Sequence, residues 1–98
     1  MKILWSPLAV ERASDISDSI ALDNPTAAAN WIETIFKKIE QLKSPPLSGR
    51  VFPEVNNKEI RELTYGNYRI IYRVESKQIS ILTIRQGKQI LPTDEIGA

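Results

Sequence analysis

The sequence predicts an α+β fold: an N-terminal strand, then an antiparallel helical hairpin packed on one face of a small antiparallel sheet, in the order β-α-α-β-β-β. Three observations carry that expectation. Two runs that mix β-branched and aromatic residues with polar ones meet at Gly66-Asn67, a two-residue turn signature. Ser6-Pro7 and Asn24-Pro25 each set a short capping side chain ahead of a proline, the pattern of a helix start. After each of those starts, apolar residues recur at helical rather than strand spacing.

Lys2 to Trp5 reads as a short first strand. Ser6 can cap exposed backbone N–H groups, and Pro7 costs nothing at the first helical position, where its missing donor has no partner to lose. The first helix runs to about Leu22, with Leu8, Ala9, Ala13, Ile16 and Ile20 as its apolar stripe. Asp23-Asn24-Pro25 stops it and starts a second helix, which carries Ala28, Ile32, Ile35, Ile39 and Leu42. Trp5, Trp31 and Phe36 are expected in the core. Ser44-Pro45-Pro46 cannot continue a helix, so the second ends near Lys43. So short a connection folds the two helices into a hairpin.

Val51-Phe52-Pro53-Glu54 begins a short edge segment, and three strands follow over about 58–65, 67–74 and 78–85. Gly66 can take the positive φ that a type II′ turn requires at its first central position, which sets the register of the hairpin. Alternation then puts Tyr68, Ile70, Tyr72 and Val74 on one face, and Asn67, Arg69, Ile71 and Arg73 on the other. An unpaired guanidinium is too costly to bury, so the second face should meet water, a partner or a polyanion. The first strand is expected beside the last.

Ninety-eight residues with 42% hydrophobic content suit a single domain over residues 1–98, with a mobile tail over about 92–98. The absence of cysteine removes disulfides and thiolate chemistry, and the absence of histidine removes the commonest general base and metal ligand. No metal and no cofactor is expected. The apolar runs are far shorter than a membrane span, and nothing reads as a secretion signal, so a cytoplasmic protein without a membrane partner is expected. The net charge of +1 conceals a gradient: residues 1–48 hold five basic and six acidic side chains, residues 49–91 eight basic and four acidic. The strand half is the basic half, a bias that favours acidic partners, either nucleic acid or an acidic protein segment.

The ordered set of motifs resembles the RelE/ParE superfamily of bacterial type II toxins. The residues that carry the resemblance are Ile3-Leu4-Trp5-Ser6, Asn24-Pro25-Thr26-Ala27-Ala28-Ala29, and Leu42 with Pro45 to Arg50. Pro53-Glu54, Ile60-Arg61-Glu62-Leu63, Tyr68 to Val74 and Ile79 to Gln89 complete it. The resemblance implies a toxin neutralised by a cognate antitoxin and arresting growth when free, a plasmid-stabilisation type of module with no small-molecule substrate. Two activities occur on this one fold: ParE-like inhibition of DNA gyrase, and RelE-like cleavage of mRNA on the ribosome. An inactive homologue that only binds antitoxin is a third reading.

RNA cleavage by a 2′-hydroxyl needs a proton acceptor, cations for the charged phosphorane and a donor for the leaving oxygen. By resemblance, Glu54 would be the base, with Arg61, Arg69 and Arg85 supplying positive charge. Nuclease members commonly place a His or Tyr near the end of the last strand, where this chain has Arg85-Gln86-Gly87-Lys88. Arginine is a poor proton donor and glutamine has no proton to transfer. That departure favours the ParE-like branch, with Arg61, Arg85, Gln86 and Lys88 as candidates for target binding. Arg69, Arg73 and Arg50 are candidates for holding acidic residues of an antitoxin laid along the helical hairpin. Arg61, beside Glu59 and Glu62, also has a plain reading as a surface ion pair worth under about 1 kcal/mol.

Overall fold

Both capping side chains act as the sequence anticipates in the computed structural model, which describes residues 2–43, 50–51 and 57–87. Ser6 Oγ accepts from the Ala9 N–H at 3.0 Å to start α1 (Pro7–Ala21), after β1 (Lys2–Trp5). Asn24 Oδ1 accepts from the Ala27 N–H at 3.0 Å to start α2 (Pro25–Glu40). Lys37 and Lys38 sit in the last turn of α2, where positive charge opposes the exposed carbonyls. A 3-10 turn, Gln41–Lys43, carries the chain on and buries Leu42.

The strands are β2 (Arg50–Val51), β3 (Ile60–Tyr65), β4 (Tyr68–Val74) and β5 (Gln78–Gln86), and the sheet order is β1-β5-β4-β3-β2. The sheet is antiparallel from β2 to β5, and β1 joins β5 in parallel, placing Ile3 opposite Ile79 and Trp5 opposite Ile81. The first strand therefore lies beside the last. The parallel pairing is possible because the helical hairpin carries the chain across one face between them. Gly66 has φ +56° while Asn67 has a negative φ, as a type II′ turn demands, and Tyr65 pairs with Tyr68 across it.

One face of the sheet meets the helices. Ala9 and Ala13 of α1, Trp31, Ile35 and Ile39 of α2, and Leu42 pack on Ile70, Tyr72, Ile79, Ile81 and Ile84. Trp31 stands edge-on to Tyr68 with ring centroids 5.2 Å apart. Phe36 departs from its expected place in the core. It packs tilted on Trp5 at 5.1 Å, yet 49% of it is exposed. It lies one residue beyond Ile35, and the 100° step per residue turns it away from the sheet.

Leu82 has no partner in β4, because Ile71 pairs with Thr83 and Tyr72 with Ile81. This bulge is tied to the start of α1: Ser6 Oγ donates to the Leu82 carbonyl at 2.7 Å, and the Ser6 N–H donates to the Ile81 carbonyl at 2.9 Å. The bulge restores the alternation, so Ile81 and Ile84 both face the helices.

Candidate functional site

The register places Arg50, Glu62, Thr64, Arg69, Arg73 and Arg85 on the face away from the helices, along with Ile60, Ile71 and Thr83. That face is not uniformly open to water. Ile60, Ile71 and Thr83 are fully buried, and so is the side chain of Glu62. Glu62 is the charge about which the site is organised. Its Oε2 accepts from Arg69 Nε at 2.9 Å and Nη2 at 2.7 Å, and its Oε1 accepts from Nε and Nη2 of Arg50. A buried carboxylate is tolerable there because both oxygens receive charged donors. The two arginines differ sharply in exposure: the Arg69 side chain is 12% exposed and that of Arg50 68%.

An open cavity of about 370 Å³ adjoins the pair at the hairpin end of the sheet, lined by Arg50, Glu62, Thr64, Asn67, Tyr68 and Arg69 together with Gly66 and Gly87. Gly87, at φ +74°, donates its N–H to the Asn67 carbonyl at 2.6 Å and so ties the end of β5 to the turn.

Arg73 lies further along the same face, opposite Ser80. Its charge helps hold Glu75 below the ordinary carboxylate value of 4.5, but hydrogen bonds contribute more. Ser80 Oγ donates to Glu75 Oε2 at 2.5 Å, and Gln78 Nε2 donates to the same oxygen at 2.8 Å. Arg85 pairs with Arg69 in register, and also borders a small cleft with Arg12 and Asp15 of α1.

Arg61 stands apart from that group. It pairs with Tyr72 and alternates with Leu63 and Tyr65, which pack on the helix-side core; its Nε donates to the Lys58 carbonyl at 3.3 Å. Arg61 therefore does not converge with Arg69 and Arg85, as a shared phosphorane site would require. Gln86 is exposed and borders a cleft on the helix side with Ile16, Ser19, Ile20, Asp23, Asn24 and Tyr68. Glu54 and Lys88 lie outside the described residues.

A second surface lies on the other side of the sheet. Trp5, Val10, Ala13, Ile32 and Phe36, with Ser14, Ser17 and Asp18 at the rim, line an apolar groove of about 430 Å³. Val10 is 53% exposed and Phe36 49%, so two large apolar side chains of this groove face outward together.

Sequence reasoning missed Glu62, although its signal was present. The two-residue turn pairs Tyr65 with Tyr68, and counting back places Glu62 diagonal to Arg69 on one face. Thr64 and Asn67 were missed because nothing in the sequence signals a cavity.

Comparison with known proteins gives one consistent answer. The family described as "ParE toxin of type II toxin-antitoxin system, parDE" matches residues 3–91. The chain is 33% identical over 93 residues to the Sinorhizobium fredii protein Y4kP, an alignment that covers 93% of each chain. The fold is similar to that in the chromosomal ParDE toxin–antitoxin system of Pseudomonas aeruginosa, with a TM-score of 0.74, 24% identity, and coverage of 90% of this chain and 97% of the other. It is also similar to that in the RelBE2 toxin–antitoxin complex of Mycobacterium tuberculosis, at TM-score 0.58 and 16% identity, covering 87% and 95%.

Proposed function

This chain belongs to the ParE toxin family of type II toxin–antitoxin systems, and we propose that when free it arrests growth by inhibiting DNA gyrase, a cognate antitoxin holding it inactive. The observation that carries this choice over mRNA cleavage is the engagement of Arg69. A cleaving site needs that cation turned to the phosphate, yet Arg69 is nearly buried and spends two N–H groups on Glu62. Arg61, another of the three phosphate candidates, lies on the opposite side of the sheet, which leaves only Arg85 on the Arg69 side. Two of the three charges that a nuclease would focus are thus answered internally or pointed apart. Inhibition by binding asks for no such convergence.

The antitoxin reading rests on the apolar groove. A segment placing a few apolar side chains over Trp5, Val10, Ile32 and Phe36 would bury surface that is costly to leave in water. Because the helices and the arginine face lie on opposite sides of the sheet, a segment that touches both must turn round an edge.

Purified toxin added to a gyrase supercoiling reaction tests the proposal, run beside primer extension on translated mRNA. Loss of supercoiling that antitoxin reverses supports it. Unchanged supercoiling at micromolar toxin, with new mRNA ends, would replace it with the nuclease reading. Growth that continues on expression of the toxin alone would favour an inactive homologue.

A further inference from the structure

We propose that Asp18 sets the identity and the direction of the antitoxin segment that lies in the apolar groove. That segment is an amphipathic helix with a lysine or arginine on Asp18 and its N-terminal end toward that residue. This rests on the antitoxin reading above and specifies what the antitoxin must carry. The groove has two unlike ends. At one, Val10 and Phe36 are half exposed, and the Trp5 ring stands 5.1 Å from that of Phe36. Asp18 lies just over two turns along α1 from Val10, roughly 12 Å away, and it supplies the charge among the residues that line the groove.

Asp18 stands where its own helix gains nothing from it. It begins the last turn of α1, which holds no basic residue, and a carboxylate there adds to the negative end of the helix dipole. Its side chain is exposed, and among the described residues neither a hydrogen bond nor an ion pair engages it. Glu33, the acidic neighbour of Ile32 on α2, already has Lys37 at 3.1 Å. The start of α2 lies nearby, but Asn24 caps it. The Asp18 end of the groove therefore carries a carboxylate and the carbonyl ends of α1 together. A partner's cation, or the positive N-terminal end of a partner helix, answers both.

The surroundings favour a helix over other occupants. The groove runs between α1 and α2, whose backbone groups are bonded within each helix. A strand laid there would find no partners for its own N–H and C=O groups, whereas a helix brings its bonds with it. A second copy of this chain fits poorly. Two-fold pairing would set Asp18 against Asp18, or lay it on the other copy's Val10 and Phe36. With its N-terminal end at Asp18, the antitoxin helix runs antiparallel to α1. Its basic residue then precedes the apolar residues over Val10 and Phe36 by about seven or eight positions.

The test uses the full chain and, as probe, the short protein encoded beside it, with affinities measured by titration calorimetry. Asp18→Asn should weaken binding about fivefold and Asp18→Lys at least about thirtyfold. Asp15→Asn, the same loss of charge on α1 outside the groove, should change it less than about twofold. An antitoxin whose basic residue is changed to glutamate should bind the wild-type chain weakly and Asp18→Lys well. Urea midpoints of both Asp18 variants should equal or exceed wild type; a fall would give Asp18 a structural role and overturn the proposal. Equal effects at positions 15 and 18, or no rescue by the paired reversal, overturn it too, while a loss of about tenfold with Phe36→Ser keeps the antitoxin in the groove. Affinity indifferent to Phe36→Ser as well as to Asp18→Lys overturns both readings. A toxin dimer in sedimentation that Phe36→Ser dissociates would assign the groove to a second copy instead.

Discussion

Replacing Glu62 by alanine should destabilise the protein far more than loss of the exposed Arg50 charge beside it. The Glu62 side chain is fully buried and receives donors from both Arg50 and Arg69. Arg50 is mostly in water, so its part is worth no more than about 1 kcal/mol after solvent screening. Arg69 is different: its side chain is only 12% exposed, so removing the carboxylate takes a two-point charged contact from a desolvated cation. Breaking a buried pair in that way costs roughly 3–5 kcal/mol, against a total stability of about 5–15 kcal/mol for a domain of this size. Urea unfolding followed by tryptophan fluorescence would read the change, because Trp31 is buried against Tyr68 in the core. The melting midpoint should fall by roughly 15–30 °C. Changing Glu62 and Arg69 together to methionine removes both charges and fills the space, and should recover most of the loss, to within about 1–2 kcal/mol of wild type. A Glu62→Ala variant that loses under about 1 kcal/mol, or a double variant no better than the single, would refute the view of this pair as a buried, mutually dependent unit.

Three other perturbations probe separate parts of the molecule. Ser6→Ala removes both the cap on α1 and the hydroxyl donor to the Leu82 carbonyl at the bulge, and should cost about 1–2 kcal/mol by urea titration, with Ser6→Thr largely restoring it. Phe36→Ser should cost at most about 1.5 kcal/mol in stability, since half the ring is already in water, yet weaken antitoxin binding more than about tenfold in calorimetry. Glu75 is held below its ordinary 4.5 by the Ser80 hydroxyl, then by Gln78 and, more weakly, by Arg73. A lowered carboxylate stabilises the fold above its unfolded value, and that stabilisation is lost as pH falls through the folded value. The wild-type melting midpoint should therefore drop more steeply below pH 4.5 than that of Glu75→Gln, and parallel curves would remove this assignment.

The elements and much of their pairing follow from short-range rules legible in the chain. Ser6-Pro7 and Asn24-Pro25 start helices within a few residues, where a side-chain oxygen meets a backbone N–H three positions on. Gly66 alone sets the turn that aligns β3 with β4, and alternation then sorts Tyr68, Ile70, Tyr72 and Val74 to the helix side. Such rules act through local contacts, so they can be read without the fold. The rest depends on contacts between segments far apart in the chain. Resemblance grouped Arg61 with Arg69 and Arg85, but the strand register puts it on the other side of the sheet. Phe36 looked like core by composition, yet its side of α2 meets the sheet only at Trp5 of the edge strand, and it became part of an exposed groove. Whether Glu62 is a surface charge or a buried anchor depends on how much water its neighbours exclude. That desolvation is summed over residues far apart in sequence, and it turns an ordinary acidic residue into the organiser of the arginine face.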